Sequence, residues 1–595
     1  MGLYLDSAQP YILYKSEVES PYFVDKTLLL RELFPLVKAG NKHVCITRPR
    51  RFGKSVMAAM IGAFFGQVTD SSSIFETLKI AKNPDEGHTK SFLADKEKIV
   101  ISNTAPNSAK YDYRDFMNCY HVIYINFLRA ANDSANYRQF ITTTKQILQE
   151  DLRRAFTDVC FRKGGTVIED LQIIFEQTGT QFILVLDEWD CIFHKDYTTD
   201  EDRRSFISWL AALTKDVAYL RLTYMTGVLP IAKYSSGSTI NNFQEYTMAT
   251  DDIFSEYFGF TEAEVDDLYE RYKAIRPNRN ISREDLRLWY DGYHTPSSER
   301  MYNPRSVVEA LTRNQIRSYW SATGSYNEIA TYIENNLSDI RKDVALMVAG
   351  ESVSANVEEY AATSMKLETR DELLSAMVVY GFLNYENGKV RIANKELMDE
   401  FAKTIRERES LGYINRLAVE SDRMLKATLS GDTKTMAQIL QFAHDLSLVP
   451  QGTEDVGRTI AQSAILHGAA FPYTEVPLLN YNNETELTAI VNLVFLAARD
   501  KYFVEREDKA GRGYVDFIFY PARAGDDGII LELKVGSTPE KAIQQIKDKH
   551  YVMKFKGKMA DRKQMAGQIR LVGIGYSKKR KNHRCKIEVL RTDAL

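Results

Sequence analysis

The sequence predicts an α/β protein in three parts: a mostly parallel sheet with helices on both faces at the N-terminus, an α-rich middle, and a small α/β domain at the C-terminus. Three observations predict it. Apolar, β-branched runs alternate with amphipathic helical patterns through about residue 260. Those runs then thin out, and helical periodicity dominates to about residue 470. The last stretch returns to a mixed strand and helix pattern of its own. The boundaries that follow are residues 1–265, 266–470 and 471–595.

Taken in order, an amphipathic pattern over residues 27–38 leads into a short strand over 43–47. The loop Arg48-Pro-Arg-Arg-Phe-Gly-Lys-Ser55 and a helix over 56–65 come next. Further strands are predicted over 121–127, 182–187 and 219–226, separated by helices such as 136–156 and 202–218. In the middle, residues 372–379 read as a helix and 381–392 as a hairpin turning at Asn387-Gly388, the makings of a winged helix. The C-terminal part reads as helix (484–499), strands (514–520 and 529–535), helix (539–555) and strand (569–576).

Composition narrows the function classes. The 595 residues, 44% hydrophobic and 26% charged, are those of an ordinary globular protein, which excludes fibrous and disordered classes. With 77 Lys+Arg against 80 Asp+Glu the net charge is −3, so a polyanion-binding surface has to be local. Cys45, Cys119, Cys160, Cys191 and Cys585 are widely spaced without a zinc pattern, which fits a reducing compartment. With no signal-peptide pattern and no apolar run of membrane-spanning length, a cytoplasmic location is expected.

The strand-to-helix loop ending in Gly53-Lys54-Ser55 has the parts a nucleoside triphosphate needs. Gly53 lets the backbone approach the phosphates, Lys54 reaches the β/γ-phosphates and the Ser55 hydroxyl can ligate magnesium. The usual first glycine of such a loop is replaced by Arg48. Downstream, Phe182-Ile-Leu-Val-Leu-Asp-Glu188 is an apolar strand ending in two carboxylates, as a Walker B strand does. Asp187 would hold magnesium and Glu188 would polarise the attacking water, unless the pair is a helix cap and a solvated charge. Thr226 closes the next strand where a γ-phosphate sensor would sit, and an ordinary strand-end threonine reads the same way. Lys233 reads better as a solvated lysine than as a second cationic contact.

In the C-terminal domain, the period of two puts Asp516 opposite the face of Val515, Phe517 and Phe519, and puts Glu532 and Lys534 on one face of the next strand. If the two strands pair as a hairpin, Asp516, Glu532 and Lys534 converge. Two carboxylates in apolar strands repel unless a cation lies between them. A magnesium ion, with Lys534 placed to orient a water for attack on a phosphodiester, resolves that, and a structural pair with Lys534 is the plainer alternative. Glu486, at the start of the preceding helix, could face the same metal or simply complement the helix dipole. Gln545 and Tyr551 lie on the following helix and are read as facing the site. Residues 540–586 hold fifteen Lys/Arg against three acids, including Lys578, Lys579, Arg580 and Lys581, a basic flank that suits a nucleic-acid backbone.

Together these constellations resemble a bacterial and archaeal family in which an N-terminal AAA-ATPase-like P-loop domain is fused to a C-terminal nuclease domain of the PD-(D/E)XK superfamily. The marks are Tyr22-Phe-Val-Asp-Lys26, the Arg48 to Ser55 loop, Leu186-Asp-Glu-Trp-Asp190, Thr226-Gly227, Trp289-Tyr-Asp-Gly-Tyr293 and Tyr302-Asn-Pro304. In the C-terminal part they are Gly511-Arg-Gly-Tyr-Val-Asp516, Glu532-Leu-Lys534 and residues 542–551 with Gln545. The resemblance implies an AAA-like parallel sheet and a restriction-endonuclease-like C-terminal fold. It also implies ATP and Mg2+ as cofactors, with Arg51 and Phe52 in the nucleotide loop and Asp25 and Lys26 lining the base. Asp516, Glu532 and Glu486 are the implied metal ligands and Lys534 the implied catalytic lysine. Val515 stands where the literal motif has proline. The function expected is an ATP-regulated, magnesium-dependent nuclease acting on DNA. A non-cleaving nucleic-acid-binding switch and an ATPase with a C-terminal assembly module are the rivals, and homo-oligomerisation around nucleotide stays open.

Overall fold

The computed structural model describes residues 2–591 except 83–110, 232–239, 250, 298, 321–332, 334–339, 358–366, 368, 412, 447–483, 506–515 and 562–566, and leaves out a few further side chains, Glu486 among them. It divides into two compact units, Met1–Trp320 with Ala355–Lys395, and Ser321–Ser354 with Glu396–Leu595. The α-rich middle expected from the sequence is therefore shared between two units, because the chain returns to the first one after leaving it.

The first unit is built on five strands: β1 (Lys42–Thr47), β2 (His121–Asn126), β3 (Phe182–Asp187), β4 (Leu220–Gly227) and β5 (Gln244–Tyr246). They lie in the order β2-β3-β4-β1-β5, all parallel. Burial on both faces explains why β3 is a continuous apolar run, every residue of it buried. Register aligns the carboxyl ends, with Asn126 beside Asp187 and Asp187 beside Thr226. In open parallel sheets that end is where ligands bind.

The helix Lys54–Phe65 is apolar almost all round because it is buried almost all round. Helices Val167–Thr178 and Asp200–Thr214 begin with capping boxes, from Thr166 with Glu169 and Thr199 with Asp202. Beyond the sheet, β6 (Phe260–Thr261), β7 (Tyr293–His294) and β8 (Arg300–Tyr302) form a small sheet. Helices Glu262–Ile275, Arg283–Tyr290 and Pro304–Arg313 share a core that includes Leu268, Tyr272, Leu286 and Val307.

A short strand β9 (Val353–Ser354) belongs to the second unit. The helix Arg370–Tyr380 and the hairpin of β10 (Leu383–Glu386) and β11 (Lys389–Ile392) belong to the first. Asn387 and Gly388 both have positive φ, as the predicted two-residue turn requires.

In the second unit a sheet of β12 (Tyr502–Glu505), β13 (Phe517–Pro521), β14 (Gly528–Val535), β15 (Gln568–Ser577) and β16 (Asn582–Arg591) runs in that order. Only the β14–β15 pair is parallel, and the helix Pro539–Asp548 lies in the crossover between those strands. The single helix expected over 539–555 is two, Pro539–Asp548 and Tyr551–Asp561. His550 takes a left-handed conformation, φ 56°, which ends one helix and turns Tyr551 and Phe555 into the core, where Phe555 stacks on Tyr520 at 5.1 Å. Among the described residues no helix is long and apolar enough to cross a membrane.

Candidate nucleotide and carboxylate sites

At the first site, β1 delivers the chain into the loop and Gly53, at φ 86°, delivers it into the helix at Lys54. A Cβ at Gly53 would meet nothing within 4 Å, so glycine is required there by the left-handed backbone. No side chain caps this helix, which leaves its first amides to an anion. The Lys54 ammonium is buried and donates to the Pro49 carbonyl at 3.0 Å. Burial lowers its pKa, while Glu188, Asp190 and Asp187 pull it back up.

Asp187 is fully buried at the end of β3. One of its oxygens accepts from the Ser55 hydroxyl at 3.2 Å and the other from the Asn126 amide at 2.7 Å. Burial, then the charge of Glu188, pushes its pKa up to about 7. Glu188 follows in a left-handed conformation, φ 53° and ψ 46°, a strain of the order of 1 kcal/mol directly after the strand.

The remaining residues singled out at this end are placed as follows. Arg48 is buried, donates to the carbonyls of Thr47 and Tyr246 at 2.8 and 2.9 Å, and lies 5.1 Å over the Phe258 ring. Arg51, at φ 69°, donates to the Tyr319 carbonyl. Phe52 is buried against Tyr293. Asp25 accepts from the amides of Thr27 and Lys79 at 2.9 and 2.7 Å. Lys26 is buried in an ion pair with Glu264 at 2.6 Å. Thr226 gives its hydroxyl to the Ile46 carbonyl at 2.8 Å. Lys233 lies outside the described residues.

Two roles escaped sequence reasoning, that of Asn126 and that of Asp190, which entered only as the last residue of the Leu186 to Asp190 motif. Asn126 holds Asp187, and its one signal was a polar residue closing an apolar strand; that its strand lies beside β3 is not written in the sequence. Asp190 is buried and accepts from the amides of Val228 and Leu229 at 3.0 and 2.9 Å, which ties the end of β4 to the segment after β3.

At the second site, β13 and β14 are antiparallel with Phe517 opposite Leu531 and Ile518 opposite Ile530. Continuing that register puts Asp516 opposite Glu532, and Asp516 accepts from the Leu533 amide at 2.6 Å. Glu532 is buried, 2% exposed. Its Oε1 accepts from the Lys534 ammonium at 3.0 Å and from the Gln545 amide. Its Oε2 is buried with no hydrogen-bond partner among the described residues. Burial, then the charge of Asp516, raises the Glu532 pKa to about 7 against the opposing pull of Lys534.

An orphaned buried carboxylate oxygen beside a second acid fits a divalent cation with oxygen ligands. No group of three or more His, Cys, Asp or Glu suited to a metal occurs among the described residues, and the Glu486 side chain lies outside them. Tyr551 is a core residue beneath the sheet. Lys578, Lys579, Arg580 and Lys581 are exposed in the turn between β15 and β16, and Lys534 pairs in register with Gly575 near that turn.

Residues 15–236 match the family model described as a predicted AAA-ATPase, and residues 482–585 match that of the PD-(D/E)XK nuclease superfamily. A curated protein of Azotobacter chroococcum mcd 1, named "Uncharacterized protein in vnfD 5'region", is 24% identical over 323 residues, 52% of each chain. The chain thus spans about half the length of that relative. Among solved structures, the Walker-type ATPase PABY2304 of Pyrococcus abyssi is 12% identical with a TM-score of 0.32, over 62% of this chain and 93% of its own. The ORC2 protein of Aeropyrum pernix, in ADPNP-ADP complexes, is 11% identical with a TM-score of 0.30, over 64% and 93%.

Proposed function

With an AAA-ATPase-like N-terminal domain and a C-terminal domain of the PD-(D/E)XK nuclease superfamily as the premise, we propose that this chain is an ATP-regulated, magnesium-dependent nuclease acting on DNA. The observation that carries the nuclease half is the buried, unpartnered Oε2 of Glu532 beside Asp516. An unmet buried acceptor costs about 1–3 kcal/mol, and a cation held by Glu532 and Asp516, with Glu486 as a third candidate, removes that cost. Magnesium, when bound, supplies a Lewis acid for phosphoryl oxygens. Gln545 and Lys534 hold Oε1 and so orient the carboxylate, and Lys534 would orient the attacking water. The exposed Lys578 to Lys581 turn supplies cations for a phosphate backbone.

For the nucleotide half, the uncapped helix N-terminus and Lys54 bind the phosphates, Ser55 and Asp187 hold the accompanying magnesium, and Glu188 takes a proton from the attacking water. Arg48 and Arg51 tie the loop to the carbonyls of Tyr246 and Tyr319, and Phe52 packs on Tyr293. Asp25, Lys26 and Thr226 are read as supports of the pocket, since each is already engaged by the protein.

The 3.0 Å pair of Lys534 with Glu532 favours one alternative, a non-cleaving switch in which the ion pair is structural. Incubating the purified chain with linear, circular and single-stranded DNA, with and without magnesium and ATP, tests the reading. Magnesium-dependent cleavage that ATP alters is expected. Intact DNA of all three kinds, with retained binding, would give the switch reading the lead.

A further inference from the structure

The motif Trp289-Tyr-Asp-Gly-Tyr293 and the helix and hairpin of residues 370–393 have no part in the chemistry above, yet Tyr293 of the one and Gly381 of the other touch the phosphate loop. The helix Arg370–Tyr380 ends at Gly381, in a left-handed conformation with φ 86°. A Cβ at Gly381 would lie 2.6 Å from Pro49 Cβ, so the helix end and the loop are in direct contact. Pro49 is the residue whose carbonyl holds the Lys54 ammonium. Tyr293 is the clasp on this contact. Its hydroxyl donates to the Gly381 carbonyl at 2.7 Å, and its ring meets Phe52 of the loop edge-on at 4.9 Å.

The residue next to Gly381 makes a second contact. The Tyr380 ring lies 5.8 Å from that of His194, and His194 approaches Asp190 at 3.9 Å in the segment that follows Asp187 and Glu188. Two consecutive residues at one helix end thus touch the two elements that would handle a nucleotide. The motif holds the hairpin as well. Gly292 packs so closely on the Ala393 carbonyl that a Cβ would fall 1.7 Å from its oxygen, and the His294 amide donates to the Asn384 side chain at 2.9 Å.

We propose that residues 370–393 are a relay for nucleotide state, clasped to the phosphate loop by Tyr293 and to the acidic strand's end by His194. Nucleotide phosphates compete with the Pro49 carbonyl for Lys54. When Lys54 leaves it, the loop at Pro49 and Phe52 re-seats, and the helix end wedged against it responds. The chain passes into the second unit on both sides of this segment, at Ser354 and Glu396, so the response is delivered where the covalent connections lie. The relay rests on the nucleotide reading proposed above.

Hydrogen exchange by mass spectrometry on the full chain, with and without a non-hydrolysable ATP analogue and magnesium, tests it, with calorimetry of the same analogue alongside. In the wild type, exchange over 370–393 changes by about threefold or more on binding. Tyr293→Phe, which removes one hydroxyl, keeps affinity within about threefold and loses at least half of that response. His194→Ala weakens the response in the same way if the tyrosine variant is poorly folded. Analogue binding with unchanged exchange over 370–393 overturns the relay alone, as does a full response in both variants. No heat of binding in the wild type overturns the nucleotide reading, and the relay with it.

Discussion

Asp187 and Glu532 are the same device in two different states of completion. Each is an acid buried in a strand that is otherwise apolar, each has a second acid nearby, and each is pushed to a pKa of about 7 by burial first and that neighbour second. Asp187 has both oxygens met, by Ser55 and Asn126. Among the described residues Glu532 has its donors, Lys534 and Gln545, on one oxygen and none on the other. A protein can therefore bury a carboxylate with its own hydrogen bonds or leave part of the requirement to a ligand. The first arrangement stands alone with its ligand gone, and the second is destabilised until a cation arrives.

The largest expected effect comes from disabling the incomplete site. Asp516→Ala, Glu532→Ala and Lys534→Ala should each lower magnesium-dependent DNA cleavage by about a thousandfold, read on plasmid substrate, with ATP affinity by calorimetry unchanged. Wild-type cleavage in any of the three would remove that residue from the reaction.

Next in size is the pH dependence of stability. Both acids have folded pKa values above their unfolded ones, so the folded chain keeps protons that the unfolded chain releases. Each contribution is intact below the unfolded carboxylate range, near pH 4, and is lost as pH rises through about 7. For Glu532 the loss is roughly 3 kcal/mol, and Glu532→Gln should flatten it in urea melts between pH 5 and 8, as should magnesium on the wild type. An unchanged pH profile in Glu532→Gln would show that the carboxyl is not held protonated.

Lys54→Ala should weaken ATP binding by about a hundredfold, because it removes a charged donor from the phosphates. The fold should persist, since the lysine's hydrogen bond is to its own loop. Undiminished affinity by calorimetry would argue against the phosphate-loop assignment.

The smallest effect makes the two sites alike. Asn126→Ala leaves one Asp187 oxygen without its donor, as Glu532 is now, and should cost about 1–2 kcal/mol in the melts. Magnesium with ATP should restore most of that loss. A loss that the ligand does not reverse would mean that Asn126 serves the strand end and not the acid.

Much of this was legible in the sequence where the signal is local. The apolar run of residues 182–187 followed by Glu188, the Asn387-Gly388 turn and the two-residue period that puts Glu532 and Lys534 on one face all depend on neighbours a few positions apart. What was not legible depends on who lies beside whom. The partnership of Asn126 with Asp187 needs the strand order, and the burial of Arg48 needs the carbonyl of Tyr246, far along the chain. The break at His550 is a tertiary choice: the helical pattern runs through it, and the core's demand for Tyr551 and Phe555 overrides the pattern.

The return of residues 355–395 to the first unit also governs how the molecule can be cut. A fragment ending at residue 320 would carry every residue of the phosphate loop and the acidic strand, yet it would strip Phe382 from the Trp320 ring, 4.8 Å away, and Gly381 from Tyr293 and Pro49. The nucleotide half is thus no contiguous stretch of gene. Anyone isolating it has to splice residue 320 to residue 355 and stop at 395, and a simple truncation would yield a protein with newly bared aromatic surface and a tendency to aggregate.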